Sequence, residues 1–199
     1  MLRAIRAIRA IRAHVDFLNV AIAQTPAEIG EYLAPHQEAV RLLHTIPGIQ
    51  ETAAATIIAE IGVDRARFPS AKHLASWAGL CPGKKQSGGK RMSEAITKGS
   101  PWLRAVLGEV VWCIAHTRDN SLAAQYRRLS RRRGAHKAVV AVAHSVLVVI
   151  YHMLRDQRPY TDLGADYFDR LDTARLERQH VRRLEQLGYT VTLTPAVVA

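Results

Sequence analysis

The sequence contains few cysteines, few aromatic residues and no long uncharged apolar run. Its two cysteines, Cys81 and Cys113, form neither a metal-ligand spacing nor a disulfide framework, which suits a reducing cytoplasm. None of the nine histidines stands at a zinc-like interval from a cysteine or a glutamate. The longest apolar run, residues 138–151, is too short to cross a bilayer and therefore predicts a buried helix. We expect a cytoplasmic protein with no metal site in this chain.

Acidic residues are also scarce relative to basic ones. The 199 residues include 28 Lys or Arg but only 17 Asp or Glu, so the net charge is +11. This excess favours a polyanionic partner, because cations that neutralise phosphates release bound counterions. A membrane surface is the competing partner, but the arginine at every third position near the start is unlike a signal peptide. We therefore expect a nucleic-acid partner and no membrane.

One short segment, residues 79–91, combines a single serine with glycines and cations. It reads GLCPGKKQSGGKR. Glycine lets a ligand approach the backbone closely, and free amides beside lysines form an anion site. The pattern predicts a glycine-rich loop in which the serine hydroxyl faces a phosphate. An ordinary solvated turn has the same composition, so both interpretations remain open. The residues concerned are Ser87, Gly83, Gly88, Gly89, Lys84, Lys85, Lys90 and Arg91.

A Pro-Gly turn between two helical segments predicts a second phosphate contact. Residues 45–62 read TIPGIQETAAATIIAEIG, and Pro47, Gly48 and Ile49 form the turn. This is the pattern of a helix-hairpin-helix motif, in which turn amides and the next helix N-terminus bind the DNA backbone. Gln50 departs from it, since a second glycine is usual there. A plain helical hairpin used only for packing is the alternative.

A third basic feature is the helix expected over residues 121–133. Cations at a helix C-terminus complement its dipole, but five arginines in seven positions exceed that need. The excess favours contact with nucleic acid over a merely solvated face. The arginines are Arg127, Arg128, Arg131, Arg132 and Arg133, and the other candidate DNA-binding cations are Lys98, Arg104 and Lys137.

The periodicity predicts an all-α fold. Expected helices cover 1–24, ending before Pro26, then 27–45, 53–61, 71–78, 102–116, 121–133, 138–154 and 173–187. The tryptophans of the 102–116 helix are expected in the core. Ser70, Ser100 and Asn120 are the expected N-caps, and Gly79 is the expected stop.

Three regions are expected along the chain. Residues 1–40 form a helical association segment, residues 41–158 a compact domain, and residues 159–199 a loosely attached tail with a short basic helix. The tail carries four aspartates. A metal site is one interpretation of them, but an exposed helix start whose charges pair with Arg170 and Arg175 is favoured. The aspartates are Asp162, Asp166, Asp169 and Asp172.

Five segments in one order resemble a known family. They are TIPGI, FPSAKHLASWAGLCP, QSGGKR, KGSPWLRAVL and a YRRL–RRRGAHKAVVAVAHSVL block. Over residues 43–154 they resemble the C-terminal domain of insertion-sequence serine transposases of the IS110/IS116/IS902 type. The resemblance implies a DNA-binding domain whose serine becomes linked to DNA, and that serine maps onto Ser87. It also implies magnesium on a separate N-terminal acidic domain, a bridging guide RNA in some members, and a homo-oligomer held by the helical connector.

Nothing in the sequence matches the acidic domain, so we expect no cofactor in this chain. The chain then corresponds to a C-terminal fragment, a decayed element or the product of an internal start, and its chemistry needs an acidic domain in trans. Two other functions remain: a nucleic-acid-binding module without chemistry, and a structural RNA-associated protein. The second leaves QSGGKR unexplained.

Overall fold

The computed structural model describes residues 2–64, 67–81, 85–87, 90–93, 98–171 and 173–194. Helices dominate these residues, as the periodicity predicts, and one short antiparallel hairpin interrupts them. The helices are α1 (Leu2–Leu33), α2 (Gln37–His44), α3 (Glu51–Ile61), α4 (Ala71–Trp77), α5 (Pro101–Ala115), α6 (Ser121–Arg133), α7 (Ala135–Asp156), α8 (Tyr167–Leu171) and α9 (Thr173–Gln186); a 3-10 turn covers Ala34–His36, and the strands are β1 (Lys85–Ser87) and β2 (Lys90–Ser93).

The apolar helix α7 lies at the centre of the core. It packs against α2, α4, α5 and α6, while α3 packs against α2 and α5. Val142, Val146, Leu147 and Ile150 of α7 are fully buried. Among the described residues, α7 alone is long and apolar enough to cross a membrane, but its apolar side chains are the ones that fill this core. The expectation of a buried helix at 138–154 is confirmed.

Local end signals explain where the core helices begin and stop. The Ser100 hydroxyl accepts a hydrogen bond from the Leu103 amide at 3.2 Å, and the Asn120 side chain accepts one from the Leu122 amide at 2.8 Å. These side chains satisfy amides that the first turn of a helix leaves unpaired. Ser70 occupies an N-cap position too, but its hydroxyl bonds the His73 ring at 2.8 Å instead of capping α4.

The N-terminal helix is longer than the sequence suggests. We expected a stop before Pro26, yet α1 continues through that residue to Leu33. Proline removes one backbone hydrogen bond, and on an exposed helix water can satisfy the freed carbonyl. The helix expected over 27–45 is interrupted at Pro35 by the 3-10 turn Ala34–His36, which separates α1 from α2.

The start of the tail, residues 160–164, is hydrogen-bonded to the rest of the fold. The Tyr160 amide donates to the Thr45 hydroxyl at 2.9 Å, and the Tyr160 hydroxyl donates to Asp162 at 2.6 Å. Asp162 also accepts hydrogen bonds from the Ser121 hydroxyl and from the amides of Ser121 and Gly164. These bonds fix residues 160–164 to the start of α6.

The same contacts shift two pKa values. Burial, followed by the hydrogen bond to Asp162, raises the pKa of Tyr160 to about 12. Burial alone would raise the pKa of Asp162, but the hydrogen bonds from Tyr160, Gly164 and Ser121 outweigh it and hold the pKa below its ordinary value. Further along, Asp166 pairs with Arg170 at 3.1 Å, as predicted. Asp172 and the side chain of Arg175 lie outside the described residues.

Candidate nucleic-acid site

The serine segment forms a short β-hairpin where we expected an irregular loop. In the strand register Ser87 lies opposite Lys90, and Gln86 lies opposite Arg91, with a bulge between Lys85 and Gln86. The strand register thus places the cationic residue Lys90 directly opposite Ser87. Lys84, Gly83, Gly88 and Gly89 and the side chains of Ser87, Lys85, Lys90 and Arg91 lie outside the described residues.

The two ends of the segment that carries this hairpin meet at a close backbone contact. A Cβ atom added to Gly99 would lie 2.2 Å from the Ala78 carbonyl carbon, so only glycine fits there. On the other side of the contact Gly79 has φ +69° and ends α4 as predicted. The Leu80 amide reaches back to the Ala75 carbonyl at 3.0 Å, and the buried Leu80 side chain completes this Schellman-type ending. We call this contact the hairpin root.

Polar groups gather beside the hairpin root at the first turn of α5. The Ser100 hydroxyl donates to Glu60 of α3 at 2.8 Å. On the same turn the Nε atom of Arg104 is buried and has no hydrogen-bond partner among the described residues. Lys98 is exposed just before this turn. Two predicted DNA-binding cations therefore lie next to the hairpin root, and Glu60 was not anticipated from the sequence.

The Pro-Gly turn packs against the other end of α5. Gly48 has φ +86°, and an added Cβ would lie 2.9 Å from Cys113 Cβ and 3.0 Å from the Val110 carbonyl oxygen. Ile46 and Ile49 on either side are buried. The glycine of the turn therefore has a packing role, as the helical-hairpin alternative requires. Glu51 and Thr52 at the start of α3 are exposed, and Glu51 is acidic.

The hairpin root and the Pro-Gly turn are far apart. One contacts the start of α5 near Ser100, and the other contacts its last turns near Cys113. Thirteen residues of helix separate these contacts by about 20 Å. The structure thus does not join the two predicted phosphate sites into one.

The arginines of α6 divide into two groups. Arg127 donates to the Thr117 carbonyl at 3.4 Å, and the Arg128 guanidinium lies 5.5 Å from the centre of the Phe168 ring. The other three have no hydrogen bond or ion pair to any described residue. They are Arg131, Arg132 and Arg133, which are exposed at the end of α6, as is Lys137 in the first turn of α7.

The tryptophans lie at the surface, and for the two on α5 this is contrary to our expectation of core positions. Trp102 is 71% exposed, Trp112 55% and Trp77 39%. The buried positions of α5 are Leu103, Leu107, Val110, Val111 and Ile114. Positions 102, 105, 109, 112 and 116 follow the opposite, exposed stripe at spacings of three and four. A helical projection that used the aliphatic residues alone would have shown this.

Trp112 belongs to an exposed aromatic cluster that joins α5 to α6. Its ring centre lies 5.7 Å from that of His116 and 6.4 Å from that of Tyr126, in edge contacts at 86° and 78°. His116 Nδ1 lies 2.7 Å from the Trp112 carbonyl oxygen. Because a carbonyl only accepts, Nδ1 is the donor and Nε2 faces away from this bond. We call these three residues the aromatic cluster.

Comparison with known proteins decides the family. Residues 40–127 match the model of the Transposase IS116/IS110/IS902 family. This part of the chain belongs to that transposase family. The match runs from α2 to Arg127 and so includes the Pro-Gly turn, the serine hairpin and α5. The resemblance stated from the sequence is confirmed.

Individual relatives agree with the family. The chain is 32% identical over 122 residues to the pilin gene-inverting protein of Moraxella bovis, covering 60% of this chain and 38% of that protein. It is 32% identical over 146 residues to the insertion element IS900 42 kDa protein of Mycobacterium paratuberculosis, covering 72% and 36%. It is 27% identical over 142 residues to the transposase of insertion sequence IS1111A of Coxiella burnetii, covering 66% and 39%. The chain matches less than two fifths of the length of these relatives.

Proposed function

We propose that this protein is the serine-bearing part of a DNA transposase or recombinase. Family membership carries the proposal, and the hairpin supports it by placing Lys90 opposite Ser87. The basic excess of the chain and the exposed arginines at the end of α6 supply contacts for the DNA backbone. We expect the protein to act in the cytoplasm.

In the proposed reaction the Ser87 hydroxyl oxygen attacks a backbone phosphorus in line with the departing oxygen. A bond from Oγ to phosphorus forms, the bond from phosphorus to the leaving deoxyribose oxygen breaks, and the hydroxyl proton passes to a base. The leaving oxygen departs with the bonding electron pair and takes up a proton. Lys84, Lys85, Lys90 and Arg91 are proposed to stabilise charge on the non-bridging oxygens. A DNA hydroxyl then reverses the exchange and rejoins a strand.

A serine hydroxyl is a weak nucleophile and needs a base or a metal to activate it. The described residues contain no cluster of three or more His, Cys, Asp or Glu side chains. These residues therefore do not fit the magnesium that the family implies, and no step here uses it. We propose that activation depends on an acidic domain supplied in trans.

The chemistry is tested with nicked or branched DNA, in the presence and absence of a full-length relative. A covalent protein–DNA adduct is expected with the relative present, and Ser87→Ala should abolish the adduct from this chain. The same variant should bind DNA as tightly as the wild type, because it removes only a hydroxyl. An adduct to this chain that persists in Ser87→Ala contradicts the assignment.

Exposed arginines favour a second function, a binding module without chemistry. Replacing Arg131, Arg132 and Arg133 by glutamine should weaken DNA binding. The slope of the logarithm of the binding constant against the logarithm of the salt concentration should become shallower by about three units at most. Under this function Ser87→Ala changes neither binding nor any covalent product. A bridging guide RNA is a further proposed partner, and affinity for structured RNA against duplex and branched DNA tests it.

We also propose that α1 forms a homo-oligomer. Among the α1 side chains that the structure describes, from residue 5 onward, only Leu33 at the end is buried in the fold, and a heptad-spaced seam along the helix is exposed. Such a seam is buried when two helices form a coiled coil. The seam consists of Ile8, Ile11, Val15, Leu18, Ile22, Ile29 and Tyr32.

Charged substitutions on the seam test this pairing. Ile11→Asp combined with Leu18→Asp should reduce the mass measured by light scattering from an oligomer to a single chain of 22.1 kDa. The control is Phe17→Asp, because Phe17 is exposed on α1 but lies off the seam. Equal loss of association in both variants, or a wild type that is already a single chain, contradicts the coiled coil.

A further inference from the structure

The aromatic cluster is the most unusual exposed surface among the described residues. Trp112 is more than half exposed, and both neighbours touch it in edge geometry, so neither ring stacks parallel to the indole. His116 is held by its bond to the Trp112 carbonyl, which orients its ring beside the indole. An indole that is more than half exposed and has no parallel ring against it is suited to stacking on a flat ring.

The charged residues around the aromatic cluster indicate which kind of ligand would bring a flat ring to Trp112. Arg127 follows Tyr126 in α6, and its guanidinium is tethered to the Thr117 carbonyl beside His116. Arg118 is exposed in the same connection. The acidic groups nearby are Asp119 in the connection and Glu109, which is exposed one turn before Trp112. On the α6 side Arg118 and Arg127 therefore outnumber the single carboxylate of Asp119, whereas Glu109 adds negative charge toward the middle of α5.

Packing places a second feature at the same end of α5. Cys113, the neighbour of Trp112, contacts Gly48 of the Pro-Gly turn. The first turn of α3, which includes the acidic Glu51, follows that turn directly. An exposed aromatic ring beside an arginine matches the chemistry of a nucleic-acid strand, whose bases stack and whose phosphates need cations.

We propose that the aromatic cluster binds an unpaired base of a nucleic-acid strand. The base stacks on Trp112, and the strand passes on the Arg127 side because Glu109 repels phosphate on the other. The site lies about 20 Å along α5 from the hairpin root, so it holds a separate, unpaired part of the substrate. This inference rests on the proposed nucleic-acid function and narrows it to substrates with exposed bases. Unpaired DNA and unpaired RNA offer the same chemistry.

Binding to short labelled strands tests the proposal. The probes are oligothymidine, oligouridine and a fully paired DNA hairpin, each measured by fluorescence anisotropy at one salt concentration with the full chain. Trp112→Ala should weaken binding of at least one single strand by about tenfold or more and leave the duplex within about twofold. Trp112→Phe should retain most of the affinity. The single strand whose affinity falls more identifies whether the bound base comes from DNA or from RNA.

The matched control is Trp102→Ala, since Trp102 is a more exposed tryptophan on the same helix. It should leave every affinity unchanged. A second readout does not depend on the folding of Trp112→Ala. The chain has three tryptophans, so in the double variant Trp77→Phe and Trp102→Phe only Trp112 emits, and a bound single strand should quench it.

Three results would overturn the inference. The first is equal weakening by Trp112→Ala and Trp102→Ala. The second is no quenching of Trp112 by a strand that binds. The third is a fall in the mass of an oligomer on Trp112→Ala with strand binding intact, which would assign the surface to a second copy of the chain. A wild type that binds neither duplex nor single strands instead contradicts the proposed function itself.

Discussion

The two ends of α5 are held by different contacts and expose different side chains. At the start, Gly99 abuts Ala78 and Ser100 bonds Glu60, which fixes the root of the serine hairpin. At the other end, Gly48 abuts Cys113 while Trp112 and His116 remain open. The first end positions a proposed reacting group, and the second presents a proposed binding surface. A rigid helix can keep such groups at a set distance without bringing them into one pocket.

The largest effect is expected at the hairpin root. Gly99→Val should lower the free energy of unfolding by about 3 kcal/mol or more, because even its Cβ would overlap the backbone of Ala78. The measurement is a urea unfolding curve. Gly108→Ala on the same α5 is the control, since a Cβ there meets nothing within 4 Å. It should raise the free energy by about 0.5–1 kcal/mol. Equal stability of the two variants would refute the close contact.

A smaller loss is expected at the Pro-Gly turn. Gly48→Ala combines a positive φ with a Cβ 2.9 Å from Cys113, and it should cost about 2 kcal/mol. Urea unfolding again measures the change. Because Gly48 contacts Cys113, which follows Trp112 in α5, Trp112 emission should shift in this variant and remain unchanged in Gly108→Ala. An unchanged midpoint would mean that the turn does not pack on α5.

How far the sequence predicts this fold differs between elements. Helix boundaries that depend on local interactions were predicted correctly. Gly79 ends α4, and Ser100 and Asn120 cap the starts of α5 and α6. Ser70 also occupies the expected N-cap position of α4, but its hydroxyl bonds the His73 ring and makes no capping hydrogen bond. The helix stop predicted before Pro26 is wrong. A proline on an exposed helix costs less free energy than one that leaves a buried carbonyl without a hydrogen bond.

The candidate site was predicted only in part. The serine segment is recognisable from its composition, but its strand pairing depends on a register that glycine-rich sequences specify weakly. Glu60 is 40 residues from Ser100, and no local pattern predicts their bond. Trp112 was assigned to the core because tryptophan is usually well buried, although the aliphatic residues of α5 already define another face.

The smallest effect is expected from the hydrogen bonds of Tyr160 and Asp162, which hold the start of the tail against the fold. The depressed pKa of Asp162 adds stability above its ordinary pKa of 3.8, and that stability is lost as the pH falls below it. The raised pKa of Tyr160 adds stability below pH 10 that is lost as the pH rises toward 12. Tyr160→Phe should cost about 1 kcal/mol at neutral pH and remove the alkaline loss. Thermal unfolding across this pH range measures both.

The exposed Tyr189 provides the control for this prediction. Tyr189→Phe should leave stability unchanged at neutral pH and keep the alkaline loss. If Tyr160→Phe retains the full alkaline loss, the bond from Tyr160 to Asp162 does not fasten the tail.

The central claim is that Ser87 becomes covalently joined to DNA. Peptide mass mapping of an adduct formed on nicked DNA, with a full-length relative present, tests it most directly. We predict that the peptide of this chain containing Ser87 carries the added nucleotide through its hydroxyl oxygen. A nucleotide on any other residue of this chain, or an adduct only on the relative, would contradict the account.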